Sequence, residues 1–366
     1  MNILGILRDG TGKMAVGASV AAFVAATCLA ALPARADDVT WTMATHAGGH
    51  WLEHGAQGFA DKVALYTEGR VKINVAQPGA LGSPLTTTQT VKDGIAEAAT
   101  TWGGHVQGID KTGAIVGGWP GGLRPEEWFF WVYEDGGLDL IKQWRMEKFG
   151  VVSIPCDTGE TEIFLHSHKP VRTIEDFKGL RVRTSGAWAE IAAKLGASTV
   201  VIPGDEAFSA LERGVVDALE WAGPGQNFKS AFHTIAKYII TPGVHYASGL
   251  TECIINKDAW DKLSEHDKVM VEVAGRLNLY ESYARYGELD IAGWAKLKEA
   301  AASGNNEFIK LDDSFIAAAQ KASNDWADEQ AGNNEWFKKV LESQRATLDK
   351  LETWDEFRLP IGGVRE

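Results

Sequence analysis

The chain runs to 366 residues and carries 36 Lys and Arg against 49 Asp and Glu, a formal net charge of −13. So acidic a surface excludes nucleic acid as a partner, because phosphate binding needs a basic footprint; a small anion stays open, since one recessed arginine acts locally. The length exceeds what a single core fills, so two domains are expected, and an apolar content of 45% suits a well-packed globular protein.

Residues 1–36 read as a secretory signal peptide. Arg8 and Lys13 supply positive charge, residues 14–32 are apolar and alanine-rich, and Ala34-Arg35-Ala36 fits the small-residue cleavage pattern. The apolar run is long enough to suggest a membrane anchor, but its small residues and the site just beyond argue for removal after Ala36. Cys28 raises a lipoprotein alternative, which the Ala-Ala-Thr before it disfavours.

Residues 41–45 are expected as the first strand after the signal. Leu52, Ala56, Phe59, Val63 and Tyr66 then fall at intervals of four and three, an apolar helix face that Gly69 ends. Val71, Ile73 and Val75 alternate as a strand. A helix over 87–96 and a strand over 97–102 follow, feeding a loop at Gly103-Gly104. Trp102 at that strand end is placed to wall a small pocket, with Trp51 and His46 as further candidates; core packing is the plainer role for any one tryptophan. Cys156 and Cys253 could bridge in an oxidising compartment, but two buried thiols are the expected state. His166-Ser167-His168 alternates on a strand and is expected at the surface, without metal-ligand spacing.

The densest run spans 178–224. Lys178-Gly179-Leu180-Arg181-Val182-Arg183 reads as a strand. Trp188, Ile191, Ala192 and Leu195 give one apolar helix face, capped by Ser185 and ended by Gly196. Residues 199–202 are β-branched and short, a buried strand; Asp205 caps a second helix that Gly214 closes. Glu220-Trp221-Ala222-Gly223-Pro224 ends the run. In such strand–helix units ligands sit outside the carboxyl ends of the strands, where Arg183, Glu220 and Trp221 fall. Arg183 offers a planar fork that matches a carboxylate. Arg181 is expected on the other strand face, in a surface salt bridge. Farther on, Trp336, Phe337, Val340, Leu341, Leu348, Leu351 and Trp354 form a helical stripe within 333–357. It serves either as packing across both domains or as a homodimer contact. No P-loop, GxSxG, HExxH or paired CxxC motif occurs.

The ordered set Lys-Gly-x-x-x-Arg at 178–183, Gly196-Ala197, Pro203 with Glu206, Ala210-Leu211 through Gly214-Val215 to Asp217-Ala218 and Glu220, then Glu220-Trp221 with Gly223-Pro224, resembles one family. That family is the solute-binding proteins of tripartite ATP-independent periplasmic (TRAP) transporters, DctP type. The resemblance extends from about residue 40 to about 340, through Lys237-Tyr238, Pro242-Gly243 and Asn256-Lys257. It implies an α/β, two-domain periplasmic binding protein with a hinge, a cleft between the domains and a long C-terminal helix. Residues 37–160 with 251–330 would form a discontinuous first domain, 161–250 the second, and 331–366 the C-terminal helix and tail. Arg183 occupies the position of the family's carboxylate-clamping arginine.

In the branch of this family that binds 2-oxo acids, residues matching Glu220 and Trp221 help hold a metal ion beside the ligand. Glu162 lies where that branch has a glutamine ligand, but Val244-His245-Tyr246 replaces two aromatics and a glutamate. The resemblance therefore admits a cation held by Glu220, Trp221 and Glu162, while the missing carboxylate makes a requirement for it unexpected; no other cofactor is implied. Arg183, Trp221, Glu220, Trp102, Glu162, His245 and Tyr246 are the candidate ligand-binding residues. The implied function is a periplasmic receptor that captures a small organic acid, first choice a 2-oxo or 2-hydroxy monocarboxylate, and delivers it to membrane permease subunits without bond chemistry. The alternatives are a periplasmic enzyme using Glu220 and His245 as acid and base, and the ligand-binding module of a sensor system.

Overall fold

Alternation sets the first sheet. Trp41 and Met43 are buried while Thr40 is exposed, and Val71 and Ile73 are buried on either side of exposed Lys72. The computed structural model describes residues 38–159 and 161–358; the signal peptide and the tail beyond 358 lie outside the described residues. Its strands are β1 (Val39–Ala44), β2 (Val71–Val75), β3 (Ala98–Trp102), β4 (Val151–Thr158), β5 (Leu165–Ser167) and β6 (Arg181–Arg183). They continue with β7 (Ser198–Val200), β8 (Ala218–Leu219), β9 (Tyr238–Thr241), β10 (Leu250–Asn256) and β11 (Glu307–Lys310). One sheet has the order β2-β1-β3-β10-β4 and the other β11-β9-β5-β8-β6-β7. No helix among the described residues is long and apolar enough to cross a membrane.

Cys156 of β4 and Cys253 of β10 are joined in a disulfide, with Cα atoms 5.7 Å apart, and are not the two thiols expected. The reason is a bulge. Thr251 faces Asp157 and Glu252 faces Pro155, so Cys156 is the extra residue. A bulge re-aims a side chain that strict alternation would send elsewhere.

The second sheet follows the strand–helix pattern of 178–224, with three departures. β7 is an edge strand, and Val200 and Val201 are 41% and 50% exposed, because only β6 covers one side of it. Ser185 stands at the N-cap of the helix Gly186–Lys194, but its side chain makes no capping bond. Asp205 lies in the first turn of the helix Gly204–Glu212, whose N-cap is Pro203; there its charge suits the helix dipole. His166 is fully buried, since β5 lies inside its sheet between β9 and β8, and only His168 is exposed.

The helix Glu265–Ala302 links the two sheets. At a rise of about 1.5 Å per residue its 38 residues span about 57 Å. Val271 and Ala274 pack in the core with Trp41 and Phe59, whereas Leu297 packs with Ile163 and Ile239. The chain therefore arrives at the second sheet, where β11 pairs with β9. In the C-terminal helix Glu335–Arg358, the stripe residues Trp336, Phe337, Val340 and Leu341 are buried within the chain, and Trp131 donates its Nε1–H to Ser343 Oγ at 2.9 Å. Trp354, at the far end of the stripe, is exposed.

In a chain beginning after Ala36, denaturation without reductant should expose no free thiol. Reduction should lower stability by about 4.7 kcal/mol, as the chain-entropy relation gives for opening a crosslink across 97 residues. Two titratable thiols in the oxidised protein would contradict the bridge.

Candidate ligand-binding site

Arg183 ends β6, the strand between β8 and β7. It is only 4% exposed. Its Nε–H donates to the carbonyl of Ile202 at 3.1 Å, and Nη1 donates to the carbonyl of Glu220 at 2.9 Å and to Glu220 Oε1 at 3.4 Å. The guanidinium carbon lies 4.8 Å from the ring centre of Trp221, a cation–π approach. No hydrogen bond among the described residues takes up Nη2. Arg181 does form a surface ion pair, with Asp217 at 2.7 Å, and holds that carboxyl well below its usual range. It does so at the other end of β6 and not on the other face, because residues two apart share a face.

Glu220 and Trp221 follow directly on β8, which pairs beside β6 with Leu219 opposite Arg183. The strand ends at Leu219, so the adjacent residues 220 and 221 both line the cavity, as a bend there allows. Glu220 Oε1 also accepts the backbone N–H of Ser185 at 3.0 Å. Gly204 lies so close to the Trp221 ring that a Cβ would overlap it.

Glu162 comes from the link between β4 and β5, and His245 from the loop between β9 and β10. Their side chains meet, Nε2 to Oε2, at 2.9 Å, and the same nitrogen lies 4.0 Å from Glu220 Oε2. Burial pushes the Glu162 carboxyl up to about 7, against the opposing effect of the His245 hydrogen bond. The Glu162 side chain is only 14% exposed. Burial likewise drives the Tyr246 phenol well up.

The opposite wall is built from the first sheet. Trp102, at the end of β3, donates Nε1–H to the carbonyl of Gly117 at 2.6 Å and lays its ring against Gly186, whose φ of +61° suits a residue without a Cβ. His46 and His105 are driven down to about 4 and about 3 by burial, so both stand neutral. Trp51 meets Trp221 edge to face at 5.3 Å.

All seven candidate residues, together with His46 and Trp51, line one cavity of about 140 Å³, counted as positions open to the centre of a water molecule. Sequence reading missed His50, His105, Trp188, Gln226 and Tyr286 in its wall. Of these only His105 carried a signal, since it follows the flagged Gly103-Gly104 loop. Glu162, Glu220 and His245 bring three donor atoms within 4.8 Å of one another. Two carboxylates and an imidazole, nearly all buried, fit a cation; Tyr246 and the Trp221 side chain are not among these donors.

The family model for bacterial extracellular solute-binding proteins, family 7 (DctP), matches residues 43–334. The chain belongs to that family. A monocarboxylate 2-oxoacid-binding periplasmic protein of Nostoc is 27% identical over 356 residues, covering 95% of each chain. Two solved TRAP periplasmic solute-binding proteins align at 25% identity and a TM-score of 0.82, each covering 88% of this chain and 97% of its own. The one from Pseudoalteromonas atlantica holds sodium and pyruvate, and the one from Colwellia psychrerythraea holds calcium and pyruvate. The protein is thus a DctP-type solute-binding protein of a TRAP transporter, with the two-domain binding-protein fold and its cleft, and not an enzyme.

Asp157, near the end of β4, accepts a hydrogen bond from Tyr286 of the cavity wall at 2.9 Å, and burial raises its carboxyl from 3.8 to about 7. The fold therefore favours the protonated acid. That contribution is complete below 3.8 and is lost as the pH rises through about 7. Between about pH 5 and about pH 8 the wild type should lose more stability to urea than Asp157→Asn. Equal losses would show that Asp157 does not titrate in this range.

Proposed function

We propose that this receptor captures a small 2-oxo monocarboxylate outside the cytoplasmic membrane and passes it unchanged to its permease, after export on a signal peptide cleaved behind Ala36. The observation that carries this reading is Arg183: a buried guanidinium, fixed on three sides, that lines a small cavity. A carboxylate is the anion whose geometry matches that fork. The relatives' ligands support the same class, through the 2-oxo acids of the Nostoc protein and the pyruvate of the two solved structures. The neutral imidazoles of His46 and His105 and the indole of Trp102 face the acid from the other domain. The acid therefore makes its full set of contacts only when the cleft is closed, which is how binding shifts the population toward closure.

A cation accompanying the acid would be held by Glu162, Glu220 and His245, and would supply positive charge to the acid's oxygens.

Arg183→Ala should keep the fold and lower the affinity for pyruvate by roughly thirtyfold or more, from the loss of about 2–5 kcal/mol in a desolvated charge pair. Arg183→Lys should restore only part, since a point charge lacks the fork. Calorimetry decides: wild-type affinity in Arg183→Ala would remove the clamp, and a wild type that ignores pyruvate and other 2-oxo acids would overturn the ligand class.

A further inference from the structure

We propose that Glu162, Glu220 and His245 form a site for a borderline divalent ion such as zinc or cobalt(II), with His245 setting that choice against calcium and sodium. Three side chains from three separate segments converge, with side-chain exposures of 14%, 7% and 4%, and their donor atoms lie within 4.8 Å of one another. Three donors at about 2.0–2.2 Å from one ion stand at comparable mutual distances, so small side-chain shifts complete the set.

The imidazole decides the identity of the ion. Calcium and sodium are hard ions that take oxygen donors, and calcium asks for six or more. An imidazole nitrogen adds little to them but binds zinc, cobalt and nickel well. The surroundings of His245 strengthen that preference, because its ring is enclosed by Phe164 and Trp188 at centroid distances of 5.8 and 6.4 Å. A dry shell of this kind raises the value of each metal–ligand bond.

Charge points the same way. With a bound acid the cavity would hold three carboxylates, and Arg183 is the guanidinium that faces them. A desolvated excess of negative charge is costly. A divalent ion bound to a neutral imidazole and two carboxylates removes it, leaving Arg183 and its unclaimed Nη2 for the acid. A 2-oxo acid is a natural further ligand, since its carboxylate and its oxo group can chelate one ion. This last step rests on the function proposed above; the metal site does not.

The test uses the chain beginning after Ala36, stripped of metal. Cobalt(II) alone should produce a saturable visible absorption band at about one ion per chain, the signature of low-symmetry nitrogen and oxygen ligation. Zinc should abolish the band, and an about tenfold excess of calcium should leave it. His245→Glu should reverse that order. A band that never forms, or one that calcium removes as readily as zinc, overturns the proposal. In calorimetry with pyruvate, chelation should weaken binding on the order of tenfold or more. Unchanged affinity after chelation overturns a shared ion while leaving the 2-oxo acid reading intact. A cobalt-loaded protein that ignores pyruvate keeps the metal site and overturns that reading.

Discussion

The arrangement depends on one buried cation being held by backbone. Arg183 keeps its charge out of bulk water because the carbonyls of Ile202 and Glu220 accept two of its donors and the Trp221 face lies beneath it. The Glu220 carbonyl is in reach because β8 runs beside β6 with Leu219 opposite Arg183, and the Ile202 carbonyl because β7 runs on the other side with Val200 opposite it. The strand order of the second sheet is thus also what fixes the guanidinium. A guanidinium tied to carbonyls, and only loosely to a carboxylate at 3.4 Å, keeps its attraction for an incoming acid. A tight bidentate partner inside the protein would have cancelled it.

The first domain supplies a wall and not a second clamp. Its contribution is aromatic and neutral: Trp102 anchored on Gly117, His46 and His105 discharged by burial, and Trp51 edge-on to Trp221. Contacts across the cleft include the backbone N–H of His50 to Gln226 at 3.2 Å and the exposed pair Lys229–Glu53 at 2.7 Å. The exposed ion pair adds little in water. The indole contact and the buried hydrogen bond carry more. Charge on one side and apolar surface on the other suit a small acid whose carboxylate and tail face opposite domains.

Much of this was legible in the residues, and the exceptions have physical causes. The run at 178–224 was readable because short apolar periods broken by glycine leave few alternatives, and Arg183 stood out because it closes a strand. Edge position was not readable: the β-branched stretch at 199–202 looks the same at the rim of a sheet as at its centre. The disulfide was hidden by a bulge, which side-chain alternation cannot foresee. His245 stood among the candidate ligand-binding residues, but its meeting with Glu162 depends on two segments 83 residues apart that only the folded chain brings together.

Whether an acid's carboxylate sits on the Arg183 fork is decided by a crystal structure of the wild-type chain with pyruvate. The carboxylate should lie within hydrogen-bonding distance of the Arg183 guanidinium, with Trp102 and His46 facing the ligand from the first domain. Pyruvate ordered elsewhere in the cleft, with Arg183 still bonded only to the protein, would contradict it.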